Sequence, residues 1–210
     1  IPPLIPFDDP IEERLALRKQ LGLDPGDRIF LFVGALTVIK NPSTVIRAFR
    51  KLGYDFIQSK KLKVVFLGDG ELMDSLSKEI AADQLENYFL LKGSVARNQV
   101  PMYYKAADFY ITASDYEGTS IALLEAMFHR LPIIAADAPG LNRMIKHNSN
   151  GILFKPKDEN SLADAISRLL VDPKFANTLG LQASQDYLQD YSFKAMMTEY
   201  EKLFSELIRH

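Results

Sequence analysis

Short apolar runs alternate with longer amphipathic stretches along this 210-residue chain, and that alternation narrows the possible folds more than any other feature. The runs are Arg28–Val33, Lys63–Leu67, Tyr88–Leu91, Phe109–Thr112, Leu131–Ala135 and Gly151–Phe154. They are apolar at both phases of a two-residue period, the pattern of parallel strands covered by helices on two sides. Helices are expected at Ile11–Leu21, Ser43–Leu52, Glu71–Asp83, Asn98–Ala106, Ser120–His129 and Leu141–Lys146, with three more at Ser161–Leu170, Pro173–Leu188 and Phe193–Ile208. Pro42-Ser43-Thr44 offers a cap at one entry, and Asp172-Pro173 pairs an Asp N-cap with Pro at the first helical position. Strand–helix alternation implies right-handed crossovers, hence an α/β fold with a doubly wound parallel sheet of about six strands and extra C-terminal helices. No Pro/Gly/Ser-rich linker or internal repeat divides residues 1–210, which are expected to form a single domain.

Composition removes several kinds of chemistry. Lys plus Arg number 25 against 27 for Asp plus Glu, a net charge of -2, so no concentrated basic excess points to a nucleic-acid partner. The absence of cysteine excludes disulfides, thiolate nucleophiles, iron–sulfur clusters and Cys-based zinc sites. His129, His147 and His210 have no partner at ligand spacing, so no metal site is expected. The apolar runs fall far short of the roughly 20 residues a membrane helix needs. The chain does not begin with Met, so its first residues say nothing about targeting.

In a doubly wound sheet, ligands sit beyond the carboxyl ends of the strands. The most informative loop there runs Ser114-Asp115-Tyr116-Glu117-Gly118-Thr119-Ser120 into Ile121 and on to Glu125. Thr119 or Ser120 can cap the helix, leaving backbone N–H groups free for phosphate oxygens, while carboxylates at 117 and 125 can accept from sugar hydroxyls. Taken alone, the two glutamates fit equally well as a solvated loop acid and a surface helix residue. After the first strand, Gly34 allows close approach to the backbone and Lys40 could reach a phosphate, though a turn glycine and a solvated lysine explain both. Gly68-Asp69-Gly70 matches neither a P-loop nor a dinucleotide fingerprint. No G-x-S-x-G elbow is present, and Ser114 and Ser120 lack a nearby base.

In order along the chain, these segments resemble the C-terminal half of a family 4 (group 1) glycosyltransferase of the two-domain GT-B type. The likeness runs from about Arg28 to Phe204. Its landmarks are Val33-Gly34 with Lys40-Asn41, Leu67-Gly68-Asp69-Gly70-Glu71, Gly93-Ser94-Val95 and Tyr104-Lys105-Ala106-Ala107-Asp108, followed by the Glu117-x7-Glu125 pair with Ala126-Met127, then Leu131–Ala135 and Asn150–Phe154. The resemblance implies a Rossmann-like lobe that binds a nucleotide-diphosphate-sugar donor, and a transferase that retains anomeric configuration without a metal or other cofactor. By the same resemblance Glu125 holds the ribose hydroxyls, and Glu117, the catalytic position, contacts the donor sugar. The N–H groups around Gly118, Thr119, Ser120 and Ile121 bind the diphosphate with Lys40, Val95 meets the base through its backbone, and Gly34 leaves room. The acceptor (glycan, lipid-linked or small molecule) is unassigned, because the acceptor side belongs to an N-terminal domain absent from this sequence. The implied location is cytoplasmic, with peripheral contact at the inner membrane face left open. The last helix is expected to pack towards that domain, exposing Met196, Tyr200 and Leu203.

Three positions depart from the family pattern. Ala35 stands where Arg is usual, a loss of roughly 1.5–3 kcal/mol of charge-assisted phosphate contact, or about 10- to 100-fold in affinity. Lys40, Arg97 or the absent domain could compensate. Thr119-Ser120 replaces Phe-Gly, and Pro139-Gly140-Leu141-Asn142-Arg143 replaces Gly-Gly-x-Pro-Glu. These departures keep two other readings open: a nucleotide-sugar-binding module without transferase activity, which a large gain in donor affinity on restoring Arg at 35 would mark as a degraded site, and a GT-B-type sugar epimerase, against which the Glu-x7-Glu spacing speaks.

Overall fold

A computed structural model describes residues 11–208 of the chain. Six strands form one parallel sheet: β1 (Arg28–Val33), β2 (Leu62–Leu67), β3 (Phe89–Leu91), β4 (Phe109–Thr112), β5 (Ile133–Ala136) and β6 (Ile152–Phe154). Their order is β3-β2-β1-β4-β5-β6, the doubly wound arrangement expected. The helices are α1 (Ile11–Gln20), α2 (Pro42–Leu52), α3 (Tyr54–Ser59), α4 (Met73–Ala82), α5 (Val100–Ala106), α6 (Ile121–Phe128), α7 (Leu141–Met144), α8 (Glu159–Val171), α9 (Pro173–Asp186) and α10 (Phe193–Ile208). A π-helical turn, Tyr187–Tyr191, separates the last two.

The strands are apolar on both sides because both sides are covered: β4 and β5 are buried at every position. Aromatic rings tie the sheet to its helices. Phe30 of β1 stacks on Phe109 of β4 at 4.5 Å between centroids and meets Phe49 of α2 edge-on at 5.6 Å. Where boundaries differ from expectation, local chemistry explains the shift. β5 begins at Ile133 rather than Leu131 because Pro132 has no N–H to give the ladder; its carbonyl instead accepts from Tyr110 N–H at 3.0 Å. α2 begins at Pro42, behind a left-handed Asn41 (φ 50), and not behind a Ser43 or Thr44 cap. α8 begins two residues early because Asp158 caps it, accepting from the N–H groups of Asn160 and Ser161 at 3.0 Å each. Asp172 caps α9 as expected, accepting from Phe175 N–H at 2.9 Å. The six-residue α3 has no counterpart in the sequence reading; it is too short to show periodicity.

A polar latch holds α1 against the amino ends of β1 and β4. Arg18, 4% exposed, donates to the carbonyls of Ala106, Pro25 and Asp27 at 2.9 Å each and to Asp108 Oδ2 at 2.6 Å. Asp108 Oδ2 also accepts from Ile29 N–H at 2.7 Å, and Asp108 Oδ1 accepts from Arg14 at 2.5 Å. On α10, Met196, Tyr200 and Leu203 are 44%, 49% and 50% exposed, as expected.

Candidate functional site

Beyond β1 the chain crosses to β2 on one side of the sheet, and it returns at β4 on the other. The loops after β1 and β4 therefore diverge, leaving a crevice at their carboxyl ends where such sheets bind ligands. A separate cleft of about 430 Å³ opens at the opposite, amino edge beside Arg28, Phe109 and Pro132. The candidate side chains converge at the carboxyl edge, away from it.

The loop after β1 lies against the turn after β2. Gly68, at φ +144, has its α-carbon so close to β1 that an added β-carbon would stand 2.0 Å from the Gly34 carbonyl oxygen. That close packing explains a glycine turn with no phosphate fingerprint. The same loop is fastened to the one after β4: Asp115 N–H donates to Ile39 O at 2.8 Å, Asn41 Nδ2 to Asp115 Oδ1 at 3.4 Å, and Lys157 pairs with Asp115 Oδ2 at 3.0 Å.

This fastening brings Lys40 to Glu117, with Lys40 Nζ donating to Glu117 Oε1 at 2.5 Å. The buried Ser114 hydroxyl donates to the same oxygen at 2.9 Å. Glu117 is also fixed through its backbone, its N–H donating to Pro139 O at 3.0 Å while Gly140 packs on its carbonyl. Gly34 borders Lys40, Gly118 and Thr119 are exposed, and Ser120 caps α6 by accepting from Leu123 N–H at 3.4 Å. The first N–H groups of α6 have no partner within their helix and carry the positive end of its dipole, beside an Ile121 that is 46% exposed.

One turn into α6 lies the half-buried Glu125. Burial pushes its carboxyl above the usual value, while a hydrogen bond from Tyr104 and the charge of Arg97 pull the other way. The Tyr104 hydroxyl has one proton, which it shares between Glu125 and Ala122 O, the latter at 2.9 Å. Tyr110 lies beneath both acids: burial raises its pKa, and the charges of Glu117 and Glu125 raise it further. Both tyrosines are fully part of the core and also neighbour the glutamates. Ser114, dismissed as a nucleophile without a base, supports Glu117 instead. The structure places Val95 in the loop after β3, partly buried against the core and outside the Lys40–Glu117 contact. Ala35 is exposed at the mouth of the β1 loop, and Arg143 is exposed on α7. Among the described residues no group of three or more His, Asp or Glu is placed to hold a metal ion, and no helix is long and apolar enough to cross a membrane.

A raised carboxyl pKa makes ionised Glu125 a burden on the folded state. The burden sets in as pH rises past the unfolded-state value of about 4.3 and is absent where both states are protonated. Glu125→Gln is therefore expected to melt at or above the parent temperature at pH 7, the two curves converging below about pH 4. A variant melting several degrees lower at pH 7 would contradict this.

The architecture is that of one lobe of a GT-B protein, a Rossmann-like parallel sheet flanked by helices. The model of the group 1 glycosyl transferases matches residues 13–186, and the chain belongs to that family. It is 30% identical over 188 residues to an uncharacterized glycosyltransferase of Methanocaldococcus jannaschii, covering 90% of this chain and 47% of that protein. The chain spans about half the length of the curated relatives it matches. The fold is similar to that of Anabaena Alr3699/HepE in complex with UDP, with a TM-score of 0.85 and 22% identity over 94% of this chain and 54% of that one. It is also similar to the C-terminal domain of a glycosyl transferase group 1 family protein from Francisella tularensis, with a TM-score of 0.75 and 21% identity over 90% of this chain and 95% of that one.

Proposed function

We propose that this chain is the donor-binding half of a retaining glycosyltransferase that moves a sugar from a nucleotide-diphosphate sugar to an acceptor held by a second, N-terminal domain. The observation that carries the reading is the convergence, at the crevice between β1 and β4, of a capped helix start, a lysine and two glutamates. In this reading the N–H groups of Ser120 and Ile121 and the Lys40 ammonium take the diphosphate, so developing negative charge is met by a fixed dipole and a cation without a metal ion. Glu125 accepts from the ribose hydroxyls, Glu117 from the donor sugar, and Val95 meets the base through its backbone. Gly34, Gly118 and Thr119 leave the backbone open to the donor. The leaving phosphate takes the acceptor's proton on the face it departs from, which retains configuration without a covalent intermediate. Neither an exposed Ala35 nor an absent Arg prevents this, since Lys40 stands beside the same opening. The Francisella likeness, nearly end to end, supports reading the chain as a C-terminal domain. The proposed location is cytoplasmic, with the membrane face open and no nucleic-acid partner.

Calorimetric titration of the chain with UDP, GDP and ADP and their common sugar conjugates, in EDTA, tests the reading. UDP comes first because the Anabaena neighbour holds it. One base is expected to bind without metal, and Glu125→Ala to weaken it about 10- to 100-fold, the worth of hydrogen bonds to a charged group. Binding indifferent to Glu125, or no binding by any nucleotide at millimolar concentration, would overturn it.

A further inference from the structure

We propose that Ser114 is a positioning residue for the donor sugar: its buried hydroxyl holds one oxygen of Glu117 so that the other is presented to the sugar hydroxyls. This rests on the donor-site reading above and adds to it a residue that the site's chemistry had left unused. Glu117 Oε1 is taken by two donors, Ser114 and Lys40, whereas Oε2 accepts no hydrogen bond among the described residues. The carboxylate has little room to reorient. Its side chain is 10% exposed, its own N–H is bound to Pro139, and Gly140 lies on its carbonyl.

Of the two holders, Ser114 is the one that can persist through donor binding. Lys40 is 28% exposed and is the cation a diphosphate would draw away. A neutral hydroxyl that is 0% exposed has no such competitor. Ser114 has one proton, and giving it to Glu117 leaves its lone pairs facing Thr112 Oγ1 at 3.4 Å, itself 4% exposed. The proton order is thereby fixed from Thr112 to Ser114 to Glu117. The free Oε2 is an acceptor, so the ligand group it fits is a hydroxyl of the transferred sugar.

The test compares the affinity for a nucleoside diphosphate with that for its sugar conjugates, using UDP, UDP-glucose, UDP-galactose and UDP-N-acetylglucosamine, or the corresponding set for whichever base binds. Ser114→Ala is expected to lower the affinity gained from the sugar about tenfold while leaving the affinity for the diphosphate alone within about twofold, and Ser114→Thr, which keeps the hydroxyl, to restore the gain. Lys40→Gln is expected to do the opposite, weakening the diphosphate itself. If Ser114→Ala does not fold, Thr112→Val, of equal volume, removes the hydroxyl behind Ser114 and should reduce the same gain. An unchanged sugar gain in these variants, a parent that gains nothing from the sugar, or parallel loss for both ligands would overturn the proposal while leaving a donor site standing. Failure of every nucleotide to bind would overturn the donor-site reading, and this proposal with it.

Discussion

Urea unfolding of Asp108→Ala at pH 7 is expected to show a loss of about 3 kcal/mol, the lower end of the range for removing one partner of a buried ion pair. Arg18 is the reason. The residue is 4% exposed, and its guanidinium would retain three carbonyl acceptors but no counter-charge, while Ile29 N–H would lose its acceptor too. Arg14, by contrast, is 36% exposed and can turn to water, so Arg14→Ala is expected to lose less than about 1 kcal/mol. Asp108→Asn, which keeps an acceptor, should fall between the two. A loss below about 1 kcal/mol in Asp108→Ala would show that the Arg18 carbonyl contacts suffice without the charge.

If the proposed donor site is right, Gly140→Ala is expected to cut nucleotide-sugar affinity at least about 30-fold, because misplacing a binding group by around an ångström is enough for effects of that size. The added β-carbon would stand 1.9 Å from the Glu117 carbonyl oxygen, and φ +90 already disfavours any side chain there. One of the two loops has to move, and Glu117 moves with either. Gly53 supplies the comparison. It has φ +83 with open space around it, at the junction of α2 and α3. Gly53→Ala should therefore cost stability, about 1–3 kcal/mol for the backbone conformation, without changing donor affinity. Equal affinity in parent and Gly140→Ala would mean that the Pro139-Gly140 turn does not set the position of Glu117.

What could be read from the sequence, and what could not, divides along contact distance. The strands were readable because burial on two faces writes itself into consecutive residues, and the Asp172-Pro173 cap because cap and helix are neighbours in the chain. The order of loops along the crevice came from topology, which put Lys40 and Glu117 on adjacent edges. Their direct contact did not, since 77 residues separate them. The same holds for the Glu117–Gly140 contact and for Asp108, whose partners Arg14 and Arg18 lie some ninety residues away. The motif Tyr104-Lys105-Ala106-Ala107-Asp108 could be recognised as a landmark. Its physical reason needed the fold: the Ala106 and Ala107 carbonyls and the Asp108 carboxylate all accept from α1. Ser114 was hidden for another reason. A hydroxyl that orients a carboxylate is indistinguishable in sequence from one that merely fills a strand end.

From the loop after β4, Asp115 reaches the loop after β1 through Ile39 and Asn41 and the loop after β6 through Lys157, so three walls of the crevice are joined before any ligand arrives. Ordering a loose side chain on binding costs about 0.5–1.5 kcal/mol each, and walls already tied to one another avoid much of that entropy loss. The same ties remove the freedom to mould around a misfitting guest. A crevice of this kind discriminates by shape: it rewards the ligand it matches, and a single misplaced substituent is refused rather than accommodated.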